Sequence, residues 1–440
     1  MSTHSSSKQA AAPLDLSKWA KVPNLLIGVG LIVAVLGAVL SLKSAHGISQ
    51  FAYSWLVAFM FVLSICLGSL FLVMVHHLFD AGWSVPPRRF LEHIASTLFP
   101  WMAILFIPIA LLAKEIYPWM AEAHPENDPA VVAKAPLFTS AGFYVVVVVN
   151  FVVWWLLSSG LRKWSIAQDA TGEAKCTFKM RGYSYWGIFA FAITMTFAAV
   201  MWMKALQHQW FSTMYGVWYF AGSVWTTLGT AYAIMSVLNR QRILTHVLHD
   251  HQFYFMGTLF FAFTVFYAYV TFAQYFIIWN ANMPEETFWY VMREYAPDGT
   301  RSSWFFISMI IIFGHFFLPF LSLLRIDIKS SPAFVIPLAA WGWLMHYTDL
   351  SFNIMPVLHP EGVAWQWMWL DIGCIALMVG IIAKVFLTKY RSAAPYPLKD
   401  PRLIEAMGHV HPVPTQISGG ELDETDDLID GPEAVVKGGN

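Results

Sequence analysis

Ten stretches of this sequence stay apolar for roughly the 20 residues that a helix needs to cross a hydrocarbon layer about 30 Å thick. They are Asn24–Leu42, Phe51–His77, Ile94–Ala113, Leu137–Leu161, Tyr185–Leu206, Met214–Leu238, His251–Trp279, Trp304–Leu324, Ala333–Leu350 and Gln366–Leu387. Inside lipid every backbone N–H and C=O must be paired within the protein, which leaves only α-helices and closed β-barrels. A barrel strand alternates polar and apolar residues, and these continuous runs do not. The expected fold is all-α, a polytopic membrane protein of about ten transmembrane helices. Only 12% of the residues are charged, about half the share in a soluble domain, so most of the surface has to face lipid. The 21 tryptophans suit anchoring at membrane–water interfaces. A net charge of −1 carries no nucleic-acid footprint.

Lysine and arginine set the orientation. The N-terminus, the segments after the second, fourth, sixth and eighth runs, and the C-terminus hold them about three times as often as the opposite side. That side has only Lys43, Lys114, Lys134, Lys204, Arg293 and Arg301. Both termini are therefore expected in the cytoplasm. The chain divides into a disordered N-terminal tail (residues 1–20), a transmembrane domain (21–392) and a cytoplasmic C-terminal tail (393–440). From Glu405 onward the tail is Gly-rich and acidic, with Glu421, Asp423, Glu424, Asp426 and Asp427 close together. It cannot bury a core and reads as disordered or partner-bound. The exported loops Glu115–Pro136 and Asn280–Ser303 suit either partner contact or a solvated connector. Met1–Leu16 lacks the basic region and cleavage site of a signal peptide. Cys66, Cys176 and Cys374 form no CxxC or CxxCH motif, so neither a c-type haem nor an iron–sulfur cluster is covalently held. No metal site is assigned from spacing.

Ionisable residues at membrane depth are expensive, which makes each a candidate for function. At a rise of about 1.5 Å per residue, His76 and His77 lie about 38 Å along the second run, at its cytoplasmic end. Asp80, Arg88, Arg89, Glu92 and His93 follow closely, giving an inner polar cluster or a solvated helix end with His at the negative dipole terminus. His315 lies about 16 Å into the eighth run, near the midplane, with Asn150 of the fourth run at similar depth. It reads either as a hydrogen-bonded core histidine or as a proton relay. An outer group comprises His346 and Asp349, spaced i, i+3 on one face, with Asp371 about 8 Å into the last run and His359 in the loop before it. A paired carboxylate and imidazole can pass a proton or form a structural bond. Lys384 can snorkel to the interface. Bis-histidine haem ligation needs histidines within facing helices, whereas His76 and His77 sit at a helix end.

Several segments resemble one family: YSWLVAFMFVLSICLGSLFLVMVHHL from Tyr53, GWSVPPRR from Gly82, QHQWFSTMYGVWYFAGS from Gln207, TFAQYFIIWNANMPEET from Thr271 and GHFFLPFLSLL from Gly314. This family is the smaller NrfD/PsrC-like membrane subunit of alternative complex III, and the resemblance covers most of Lys18–Arg402. It implies two four-helix bundles, helices two to five and six to nine, flanked by the first and last helices. It further implies a place in a bacterial inner-membrane quinol:electron acceptor oxidoreductase of the respiratory chain. The partners implied are a multihaem cytochrome c, an iron–sulfur subunit, a larger NrfD-like subunit and a monohaem cytochrome, with a terminal oxidase as a further partner. The resemblance places the redox centres on other subunits, and the ionisable residues at three depths then suggest proton conduction, energy coupling and assembly as this chain's role. Menaquinol or ubiquinol and lipids are the ligands it brings into view. Direct quinol binding, through His76, His77 or His315, is the alternative. A secondary transporter would need paired helix breaks, for which Pro319 and Pro337 are the available residues.

Overall fold

The structure is a computed structural model, and it describes residues 17–407 apart from Ala123, Pro125 and Glu126. The acidic residues after Glu405 that the sequence singles out (421–427), and all but the last four residues of the N-terminal tail, lie outside the described residues. Ten long helices follow in order, with no strand among the described residues. They are α1 (Ser17–Ser41), α2 (Ser49–Leu78), α3 (Gly82–Leu111), α4 (Ser140–Thr171), α5 (Ala174–Trp202), α6 (Tyr215–Arg240), α7 (Asp250–Ala281), α8 (Ser303–Leu323), α9 (Pro332–Ile354) and α10 (Met368–Arg391). Eight are long and apolar enough to cross a membrane. The other two, α6 and α9, are long enough but carry more Tyr, Trp, Thr, Ser and Gly. They can, because the protein shields them: α6 packs between α2, α5, α7 and α9.

The helices form the two expected groups, α2–α5 and α6–α9, joined through α2 and α6. Lipid offers no hydrophobic reward for pairing helices, so close backbone approach has to supply contact energy. Gly68 provides it at this junction. A Cβ there would lie 2.7 Å from the Ser223 carbonyl and 2.2 Å from the Thr227 hydroxyl. Tyr219 also donates to the Met60 carbonyl (2.8 Å). Leu25, Val29, Ile32, Val148, Phe189, Phe272 and Phe313 are exposed, as a lipid-facing surface requires.

The first and last helices do more than flank the bundles, because they pack on each other. Gly30 and Gly37 of α1 face Leu377 and Leu370 of α10, while Gly373 and Gly380 of α10 face Val33 and Ile27 of α1. The pairs run antiparallel at seven-residue spacing. A Cβ at Gly30 would lie 2.4 Å from the Leu377 backbone nitrogen.

Two helices are irregular. In α3 the chain leaves helical geometry at Phe99 (φ −136°, ψ 135°), because Pro100 disfavours the helical region for the residue before it. Hydropathy alone shows no interruption in the run Ile94–Ala113. In α8, residues Ile311–Phe317 form a π-helical segment. Pro319 lacks the N–H that would bond the His315 carbonyl and crowds it, and the wider turn accommodates this. Trp341 of α9 caps the nearby Gly314 carbonyl (2.8 Å). Neither Pro319 nor Pro337 breaks its helix.

Candidate functional site

Three polar groupings occupy the interior, with memberships that differ in part from the sequence reading. We call the end at which α1 begins the basic end and the other the far end.

At the basic end the expected cluster assembles and is larger than foreseen. Arg88 bonds Glu92 (3.0 Å) and Asp400, and Arg89 bonds Asp169 and Glu92 (3.6 Å). Asp80, held at φ +53° where Asp is tolerated better than most residues, pairs with Arg181 and with Arg402 (2.9 Å). Buried charges require such pairing. The histidines serve this network. Arg88 donates to His76 Nε2 (2.9 Å), which leaves Nδ1 as the N–H that meets Ser84 Oγ (2.6 Å). Arg162 donates to His93 Nδ1 (3.2 Å). His77 is buried and finds no hydrogen-bond partner among the described residues. Outside the spanning helices, burial opposes the charge of Asp400, but the Arg88 and Arg402 guanidiniums outweigh it and hold its carboxyl well below the usual carboxylate range.

The middle grouping surrounds His315. Its ring is fully buried between Tyr267 (centroids 3.9 Å apart) and Trp225 (4.1 Å). Neither ring nitrogen has a hydrogen-bond partner among the described residues. Tyr267 donates to Asp349 (2.8 Å), a carboxylate that Trp218 also faces. One turn further along α9, Asn353 donates to the Asp349 carbonyl (2.9 Å) and accepts from Tyr215 (3.2 Å). Arg293 closes the far end of this chain. It donates to the Phe352 (3.0 Å) and Asn353 (3.1 Å) carbonyls at the α9 C-terminus, with its guanidinium over the Trp289 ring.

His346 and Asp349 share the buried side of α9 but do not bond each other. His346 Nε2 donates to Ser64 of α2 (2.9 Å), whose own hydroxyl donates to the Phe61 carbonyl. Asn150, read at a depth similar to that of His315, lies on α4 in the other bundle and is also without a hydrogen-bond partner among the described residues.

The third grouping, at the far end, takes Asp371 and His359 away from His346 and Asp349. Tyr347 donates to Asp371 (2.8 Å), which Ser54 also faces. Gln50 bonds Ser54 (3.4 Å) and His359 (2.7 Å), and His359 meets Glu361 (3.1 Å). Adjacent residues of α9 thus reach different helices: His346 to α2, Tyr347 to α10 and Asp349 to α7.

Tyr267, Trp225, Arg293, Gln50, Ser54, Tyr347, Asp169 and Asp400 are site residues that the sequence reading does not include. Two signals were available. Gln50 and Ser54 stand i, i+4 in an otherwise apolar run, as do Asp349 and Asn353. Between Ser64 and His76 the interior of α2 is mostly apolar for about 18 Å, and the Ser69 hydroxyl bonds its own helix.

These features define an all-α polytopic membrane protein with a polar interior built around α9. The chain matches no protein-family model, and no curated protein matches it.

Proposed function

We propose that this chain is the smaller NrfD/PsrC-like membrane subunit of a bacterial alternative complex III, a respiratory quinol:cytochrome c oxidoreductase. In this reading it lies in the cytoplasmic membrane with both termini inside, carries no redox centre, and contributes proton conduction, energy coupling and assembly beside its cytochrome and iron–sulfur partners. The observation that carries the proton role is the buried run from Asn353 through Asp349 and Tyr267 to His315. An amide, a carboxylate, a phenol and an imidazole in succession can each accept or donate a proton or hydrogen bond, and such groups at membrane depth persist where function needs them. The apolar stretch between Ser64 and His76 then acts as the barrier that transient water has to bridge.

Single His315→Ala, Asp349→Asn and Asp371→Asn variants test this in purified complex reconstituted into liposomes, with assembly, quinol oxidation and proton movement measured together. Oxidation retained with proton movement lost in the His315 and Asp349 variants is the expected result. Intact coupling in every assembled variant would reduce the subunit to a scaffold. Absence of cytochrome subunits from the purified material would sink the assignment to this complex.

Direct quinol binding is the second reading, and one observation favours it. Beside the α3 break an open hollow of about 170 Å³ is lined by Ser96, Phe99, Trp155, Ser158, Arg162 and Lys389; it is smaller than a whole-ligand pocket of roughly 300–1,000 Å³ and would take a quinone head group only, with the tail in lipid. Quenching of the intrinsic tryptophan fluorescence by added quinone, reduced in Trp155→Phe relative to the unmodified chain, is its test. Unquenched emission counts against it.

A further inference from the structure

We propose that His46, His359 and Glu361 form a binding site for a divalent transition metal, zinc foremost, at the far end of the protein. The site stands on the loops that precede α2 and α10, outside the spanning helices, and does not depend on the function proposed above.

The argument begins with Gln50, which is fully buried. Its amide nitrogen points to Ser54 Oγ (3.4 Å) and its carbonyl oxygen to His359 Nε2 (2.7 Å). Nε2 must then carry a proton, and the lone pair of the neutral ring lies on Nδ1. That lone pair faces Glu361 Oε1 at 3.1 Å. Two acceptors at this distance repel unless a positive charge lies between them. A proton or a metal ion can supply that charge, and the second histidine, His46, with a ring nitrogen within 4.8 Å of both atoms, is the donor that a simple ion pair does not need and a metal does.

The donor set and its support fit such an ion. One nitrogen from each histidine and one Glu361 oxygen lie within 4.8 Å of one another. Tetrahedral zinc sites of two histidines and one glutamate hold their donors about 3.3 Å apart, with the fourth position open. The His359–Glu361 pair already meets that spacing. The His46 ring, 4.6 Å from the His359 ring and edge-on to it, has to move inward by a small side-chain adjustment. Gln50 plays the part of the outer partner that fixes the tautomer of a metal-bound histidine. Glu361 is largely exposed (62% of its side chain), so the open position faces water.

The test uses the full-length chain in detergent with a tag that contains no histidine, stripped with a chelator and titrated with Zn²⁺ against a chromophoric competitor. One zinc per chain is expected, together with a visible absorption band of a four-coordinate ion when Co²⁺ replaces it. Both His46→Ala and Glu361→Gln, which alter loop side chains and leave the buried Gln50–His359 bond in place, should lose the zinc and the cobalt band while eluting as folded protein. No zinc in the unmodified chain overturns the proposal. So does retention of the zinc in either variant, which would place the ion elsewhere, for example on His409 and His411.

Discussion

At the scale of single residues, Lys204 carries the clearest pH dependence outside the membrane segments. It follows α5, is 7% exposed, and sits beside Lys134 with both ammonium groups over the Phe211 ring. Burial and then the neighbouring lysine bring its pKa down to about 7, against about 10.4 in an unfolded chain. Between these values the unfolded state binds more protons than the folded one, so this residue's contribution to stability rises with pH across that window. Below about pH 7 the folded protein has to carry the charge and the penalty is at its largest. Lys204→Met is therefore expected to stabilise the fold at pH 6 by on the order of 1 kcal/mol, read as a higher melting temperature. The gain should fade toward pH 10.5. Thermal unfolding of both proteins across that range checks it, and a gain independent of pH would show that the lysine is neutralised some other way.

At the scale of elements, the glycine seam between α1 and α10 makes the sharpest prediction. Gly30→Ala drives a methyl into the α10 backbone, where no rotamer change can relieve it, and should cost about 1–3 kcal/mol. Gly28→Ala, whose added carbon meets nothing within 4 Å, should leave the melting temperature unchanged. Equal effects from the two would mean that the seam contributes nothing. Helix existence was legible in the sequence, and helix ends less so. The fourth run was expected to stop at Leu161 but its helix continues to Thr171, because Arg162, Lys163, Ser165 and Gln168 leave the hydrocarbon without leaving the helix. Hydropathy follows the solvent, whereas the hydrogen-bond ladder ignores it until Gly172 ends it in a left-handed turn (φ +73°). The candidate site was legible as single polar residues at given depths. Their partnerships were not, since whether Asp349 meets His346 or Tyr267 depends on how α9 is rotated against α6 and α7. The π-helical segment at His315 further shifts the register of everything beyond it.

At the scale of the whole molecule, residues 393–407 fold back beneath the helices and are held there by charge. Asp400 joins Arg88 to Arg402, and Gln252 of α7 donates to the Ala406 carbonyl (2.7 Å). A carboxylate held below its ordinary range lends stability that is complete above its unfolded pKa of about 3.9 and is lost only as pH falls through the depressed value. The segment should thus stay docked at all mildly acidic pH values. Asp400→Asn removes the clamp at neutral pH and leaves two buried guanidiniums short of a partner. Faster tryptic cleavage after Lys399 or Arg402 in the detergent-solubilised variant is the expected outcome, and unchanged cleavage would mean that packing alone holds the segment. The seam between the first and last helices also has a consequence for biogenesis. The ribosome delivers α1 to the bilayer before anything it is shaped to touch, and its glycine face must wait through the synthesis of eight further helices, on the order of tens of seconds. During that interval α1 is an orphan with a notched surface open to any passing small-residue helix, and only completion of the chain closes the circle. A transcript truncated before α10 would yield nine helices whose first member has lost its main partner and keeps only a small contact with α2, which gives membrane quality control a mark by which to recognise an unfinished chain.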